Sequence, residues 1–130
     1  MEKVVDEIYE LIEQDGLMPV IKVLFGAGAQ IELYFSENAY KTEIEKLDLS
    51  VRSLNCLKRA GLNTVEMVMD AMMENRLTEI RSLGKNSKAE IHVRTYEFGY
   101  ESLSVEGKKA FVKTFLERNR DMFKGEGLWT

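Results

Sequence analysis

Mainly α is the fold class this sequence predicts: a compact bundle with two helix-hairpin-helix units, and a small β-hairpin as one reading of its N-terminal segment. Three observations carry that expectation. Apolar residues recur at three- and four-residue spacing near both ends of the chain. In the middle, helix-capping residues alternate with glycine-bearing turns, first over Ser50–Gly61 and again over Ser82–Ser87. At 130 residues, with 45% hydrophobic and 31% charged side chains, the chain is large enough for one soluble domain, or a small domain with an added element.

The elements follow in order. Residues 2–15 read as an amphipathic helix with Val4, Val5, Ile8, Leu11 and Ile12 on one side, stopped by Gly16. The next segment has two readings. A β-hairpin pairs the β-branched run Val20–Phe25 with the alternating Ile31, Leu33 and Phe35 across the turn Gly26-Ala27-Gly28-Ala29. The rival is a short helix begun at Pro19, and the hairpin is the preferred reading. From residue 44 the signals sharpen. Ser50 caps a helix to Ala60 that buries Val51, Leu54 and Leu57, and Gly61 ends it in the left-handed region. Asn63 and Glu66 form a capping box for a helix through Met73, and Leu77 and Ile80 sit on a short helical turn. Ser82–Asn86 is the second hairpin loop, and Ser87 and Glu90 make a capping box for a helix ending near Gly99. A last helix spans about 104–122, with Phe111, Val112, Phe115 and Leu116 inward and Lys108, Lys109, Lys113 and Arg118 outward. Gly125 and Gly127 mark a loose tail, in which Trp129 either packs back or frays.

Composition excludes several classes. No apolar run approaches the roughly 18 residues that span a bilayer, and the N-terminus lacks the basic region of a secretory signal. Cys56 is the one cysteine, so no internal disulfide forms, and the expected location is the reducing cytoplasm. One Cys and one His do not make a four-ligand zinc site, and no cofactor is expected. Phosphate-loop motifs, paired-carboxylate signatures and nucleophile triads are absent, so the protein is not expected to be an enzyme. His92 stands alone as a surface residue, and the methionines at 67, 69, 72 and 73 are read as core filling before an adaptable binding face.

Charge is unevenly spread. The net charge is −4, yet residues 1–50 carry −7, residues 51–100 carry +2 and residues 101–130 carry +1. A mildly basic middle permits contact with a polyanion without forcing it. The second hairpin supplies the physical case for such contact. A loop of small residues entering a helix N-terminus exposes backbone N–H groups to an anion. Gly84 allows close approach, Ser87 adds a hydroxyl, Lys85 adds charge at the rim, and Asn86 can donate. Such a loop seats a phosphate and reads no base sequence. Arg52, early on its helix, suits a narrow minor groove, and Asn55 lies one turn further on the same face. The plain alternatives are a tight inter-helix connection at the glycine turn, a solvated arginine, and an inert small residue at Cys56.

The run Leu49-Ser50-Val51-Arg52-Ser53-Leu54-Asn55-Cys56-Leu57-Lys58, followed by Ser82-Leu83-Gly84-Lys85-Asn86-Ser87, resembles the C-terminal domain of the bacterial RNA polymerase α subunit over about residues 44–103. The resemblance implies a bundle of short helices holding two helix-hairpin-helix units. It also implies binding to AT-rich minor grooves, and contacts with transcription activators and sigma factor. By position it implies that Arg52 is the groove arginine, with Asn55 and Cys56 as neighbouring contacts. Gly84, Ser87 and Glu90 become the contacts of the second hairpin. Departures exist: Ser82 replaces the usual Asn, Asn86 replaces a basic residue, and Lys88 and Thr95 stand where leucines are common.

The expected organisation is an N-terminal extension over 1–43, the helix-hairpin-helix domain over 44–103, and a C-terminal helix and tail over 104–130. Residues 1–43 and 104–130 carry no resemblance, and no counterpart of an assembly domain is seen, so a free-standing protein is expected. Two functions compete. One is a DNA-binding transcription accessory protein with weak or moderate affinity for AT-rich DNA. The other is a protein adaptor that mimics the polymerase domain towards an activator, sigma factor or RNA polymerase. Retention of Arg52, Asn55, Gly84 and Ser87 favours DNA; the lost loop charge and acidic first half favour the adaptor. A homodimer would double the phosphate contacts of a weak module.

Overall fold

The computed structural model describes residues 2–125; Gly127 and Trp129, expected in a tail, lie outside the described residues. The protein is mainly helical. Among the described residues there is no sheet, only an isolated antiparallel bridge between Glu43 and Thr64. The polypeptide divides into two compact units. One joins the segment up to Tyr34 with the segment from Leu103 onward; the other is Phe35–Ser102.

In the discontinuous unit, helix α1 (Glu2–Asp15) buries Val4, Val5, Ile8 and Ile12. Gly16, at φ 93°, leads directly into α2 (Leu17–Phe25). The β-hairpin is not formed. Leu17, Val20, Ile21 and Phe25 fall on one helical face and are buried together, which outweighs the strand preference of a β-branched run. Pro19 is tolerated in the first turn, where its missing N–H has no intrahelical partner to lose. The intended second strand runs irregularly, and Asn119 serves its backbone instead. The buried Asn119 side chain accepts from Gln30 N (2.9 Å) and donates to Gln30 O (3.0 Å).

Helix α7 (Val105–Arg118), capped by Ser104, closes this unit with Phe111, Val112, Phe115 and Leu116. It stops short of the expected end, and a separate 3-10 turn covers Arg120–Met122. Phe25 sits edge-on to Phe115 with ring centroids 4.7 Å apart. Lys108 does not point outward as expected. It is buried, and its Nζ lies 3.3 Å from Glu13 Oε1. Its long stem covers apolar surface while the ammonium finds a partner.

The contiguous unit begins with Phe35 and the short helix α3 (Glu37–Tyr40), capped by Ser36. A 3-10 turn over Ile44–Leu47 precedes α4 (Val51–Arg59) and α5 (Val65–Met73); a second, over Arg76–Glu79, precedes α6 (Lys85–Glu101). Backbone bonds from Ile44 N to Asn63 O (3.2 Å) and from Val65 N to Thr42 O (2.9 Å) tie the entry segment to the α4–α5 turn. Ile44, Leu57, Val65, Val68, Ala71, Ile91 and Tyr100 are sealed from solvent. Ser50 and Gly61 perform the expected cap and stop, with Gly61 at φ 79°. The cap of α5 is Thr64, one residue beyond the expected Asn63, and it accepts from Met67 N at 3.3 Å.

Val51 is 74% exposed rather than buried, because it starts α4 on the side away from the buried face of Ser53, Cys56 and Leu57. The methionines divide: Met69 and Met72 are buried, Met67 and Met73 exposed. His92 is half-buried on α6, and burial lowers its pKa. Thr95 is fully buried on α6 with its hydroxyl unpaired among the described residues. An unpaired buried hydroxyl costs roughly 1–3 kcal/mol. Thr95→Val is therefore expected to stabilise the protein by about 1 kcal/mol, read as a higher urea midpoint at unchanged slope. Among the described residues, no helix is long and apolar enough to cross a membrane.

Candidate nucleic-acid interface

The candidate residues gather where α4 lies along the beginning of α6. Two ties fix that arrangement. Near the end of α4, the buried Cys56 Sγ lies 3.9 Å from the carbonyl oxygen of Ser82. At the start of α4, Ser50 and Ser53 bond the carboxylate of Glu90 in the second turn of α6. Between these ties, Arg52 and Asn55 are exposed on α4. Arg59 extends the same side and donates from Nη2 to Cys56 Sγ at 3.6 Å.

The loop into α6 is shaped by two local constraints. Ser82 adopts φ 70°, a left-handed conformation that costs a non-glycine residue energy, and Leu83 is buried as an anchor. Gly84 is the N-cap, so α6 starts at Lys85 and not at the expected Ser87 box. This end has no side-chain cap, which leaves its leading amides for an external acceptor. The position a Cβ would occupy on Gly84 is open space, so approach to its backbone is unobstructed. Lys85 and Asn86 are exposed, and Ser87 and Lys88 half-buried.

Glu90 behaves differently from the expected capping box. Its carboxylate accepts from Ser50 N (3.0 Å), from Ser50 Oγ (2.8 Å) and from the Ser53 hydroxyl. It therefore caps the N-terminus of α4 across the unit, instead of its own helix. Donation from Ser53 is the largest influence lowering its pKa from 4.5; partial burial opposes it, and the Ser50 groups and Arg94 reinforce it. Arg94 in turn lies 3.9 Å from Asp48. A carboxyl whose pKa is depressed by folding contributes stability fully above its unfolded value and loses it as pH falls through the folded value. The stability gap between wild type and Glu90→Gln is thus expected to be constant from neutral pH down to the ordinary carboxylate range, then to close below it. Urea midpoints measured across that series check this.

The electrostatics favour an anion on this side. Lys58 is neutralised by Glu45 and Arg76 by Glu74. Among the described residues, Arg52, Arg59, Arg81, Lys85 and Lys88 enter no ion pair. Of the residues singled out from sequence, Arg52, Asn55, Gly84, Lys85, Asn86 and Ser87 are reachable from solvent, Cys56 is enclosed, and Glu90 is engaged. Sequence reading missed Ser53, Arg59 and Arg81. Ser53 carried a signal, since it lies three residues from the Ser50 cap; the two arginines carried only their charge.

Comparison with known proteins bears on the same unit. Residues 35–94 match the family model for the C-terminal domain of the bacterial RNA polymerase α subunit. A stretch of 63 residues is 48% identical to the DNA-directed RNA polymerase subunit α of Clostridium perfringens strain 13 and to that of Alkaliphilus metalliredigens. It is 44% identical to the same subunit of Clostridium beijerinckii. Each alignment covers 48% of this protein and 20% of the relative, so the matching part spans about a fifth of those subunits. No solved structure matches.

Proposed function

We propose that this is a DNA-binding transcription accessory protein whose α4–α6 face meets AT-rich DNA. Residues 35–94 are similar to the polymerase α C-terminal domain, and that similarity sets the frame. The observation that carries the reading is an exposed, unpaired Arg52 on α4 beside the uncapped N-terminus of α6. Arg52 enters a narrow minor groove, where negative potential is strongest. Asn55 reaches the groove edge. The amides after Gly84, with Ser87, hold a phosphate, while Lys85 and Asn86 border it.

Fluorescence anisotropy of AT-rich and GC-rich duplexes across a salt series tests this. Wild type is expected to prefer the AT-rich duplex and to weaken as salt rises. Arg52→Ala is expected to lose about tenfold or more in affinity together with the preference. Lys85→Ala should weaken both duplexes alike and reduce the salt slope by about 1. No binding at low salt overturns the reading.

A second reading, an adaptor towards an activator or sigma factor, draws on the exposed apolar side chains Val51 and Met73. It predicts that Val51→Ser and Met73→Ser abolish capture of RNA polymerase or sigma factor while DNA binding is absent or unchanged.

A further inference from the structure

We infer that Glu90 is a positioning residue for the DNA-binding face, one that clamps α4 to α6 and touches no DNA itself. The inference rests on the DNA reading above, but its evidence is separate. A carboxylate on a surface meant for a polyanion is unfavourable unless it does something else there. In this protein its oxygens are already occupied by three donors at the start of α4: the Ser50 amide and the hydroxyls of Ser50 and Ser53. Ser53 is fully buried, so one arm of the clamp is beyond reach of any ligand.

Along the sequence, Arg52 lies between the two serines that Glu90 holds. Glu90 itself lies on α6 in the second turn after Gly84. The clamp therefore fixes the spacing between the groove arginine and the phosphate seat. A rigid spacing matters because two contacts on one duplex reinforce each other only when both are reached without distortion. Loosening the clamp leaves each contact present and the pair mismatched.

The geometry gives opposite signs for the two roles Glu90 can play. If it is an idle surface carboxylate, Glu90→Gln removes repulsion from phosphate and tightens binding. As a clamp, Glu90→Gln weakens binding to the AT-rich duplex by about fivefold or more, because charge-assisted hydrogen bonds become ordinary ones. Ser53→Ala should reproduce that loss, although the buried Ser53 hydroxyl has no access to DNA. The two losses should not add, since both open the same clamp. In the Glu90→Gln background the penalty of Arg52→Ala should shrink.

The experiment is anisotropy on the AT-rich duplex for wild type, Glu90→Gln, Ser53→Ala, their double variant and Glu90→Gln/Arg52→Ala. It is paired with amide hydrogen exchange at residues 51–54 without DNA. The expected result is weaker, non-additive binding with faster exchange at those amides and an unchanged helical signal. Equal or tighter binding by Glu90→Gln, with wild type still binding, overturns the clamp alone. Unchanged exchange at residues 51–54 overturns it whether or not DNA binds. Failure of wild type itself to bind, with exchange accelerated in Glu90→Gln, overturns the DNA reading and leaves only a structural clamp.

Discussion

Phe25→Ala is expected to cost about 3–5 kcal/mol, the range for deleting a buried aromatic ring. The ring is 2% exposed and meets Phe115 edge-on at 4.7 Å and Phe123 at 5.2 Å. Its removal forfeits both aromatic contacts and leaves a hole lined by Phe115 and Phe123. Urea unfolding followed by circular dichroism checks the prediction. Val23→Ala in the same helix, 72% exposed, is the control and should stay within about 0.5 kcal/mol of wild type. Equal midpoints for the two variants would mean that α2 is not held by Phe25.

Gly99→Ala is the second large effect, in the other unit. A Cβ at this position would stand 2.0 Å from Phe35 Cε1 and 2.2 Å from Cζ. The ring cannot simply slide away, because Phe35 is buried and stacks on Tyr40 at 5.3 Å. Overpacking of this kind costs roughly 1–3 kcal/mol, and so hard a clash belongs at the upper end. The better helix propensity of alanine returns only about 1 kcal/mol. A net loss of about 2 kcal/mol is expected, lowering the melting midpoint by roughly 10 °C. Phe35→Leu should recover part of it, since a smaller side chain makes room. A Gly99→Ala variant as stable as wild type would refute the close packing of Phe35 on α6.

How much of this was legible in the sequence depends on whether the deciding contact was local. Ser50 and Gly61 bound α4 as read, because a cap and a left-handed stop act within a few residues. The same logic failed for Ser87 and Glu90. Their spacing matches a capping box, but Glu90 reaches Ser50 and Ser53 instead, and spacing cannot show a partner forty residues away. Val20–Phe25 has the composition of a strand and the burial pattern of a helix, and packing decided between them. Lys108 read as outward because lysine usually is; Glu13, on another helix, holds it inside. The candidate site was legible as residue types, Arg52 and Gly84 above all. Its bracing was not, since Cys56 to Ser82 and Glu90 to Ser53 are contacts between distant segments.

One unit is continuous in sequence and the other is interrupted by it. That has a consequence for how the protein matures. During synthesis Phe35–Ser102 is complete once its last helix has left the ribosome, and it can fold on contacts within its own segment. Helices α1 and α2 emerge before it yet must wait for α7, which carries Phe111, Phe115 and Leu116 and is made after it. Until then the apolar surface that α7 covers, such as Phe25 against Phe115, stands open. The interrupted unit is begun before the continuous one and finished after it, and the window in which its first helices can aggregate or be cut by proteases is set by the time taken to translate everything in between.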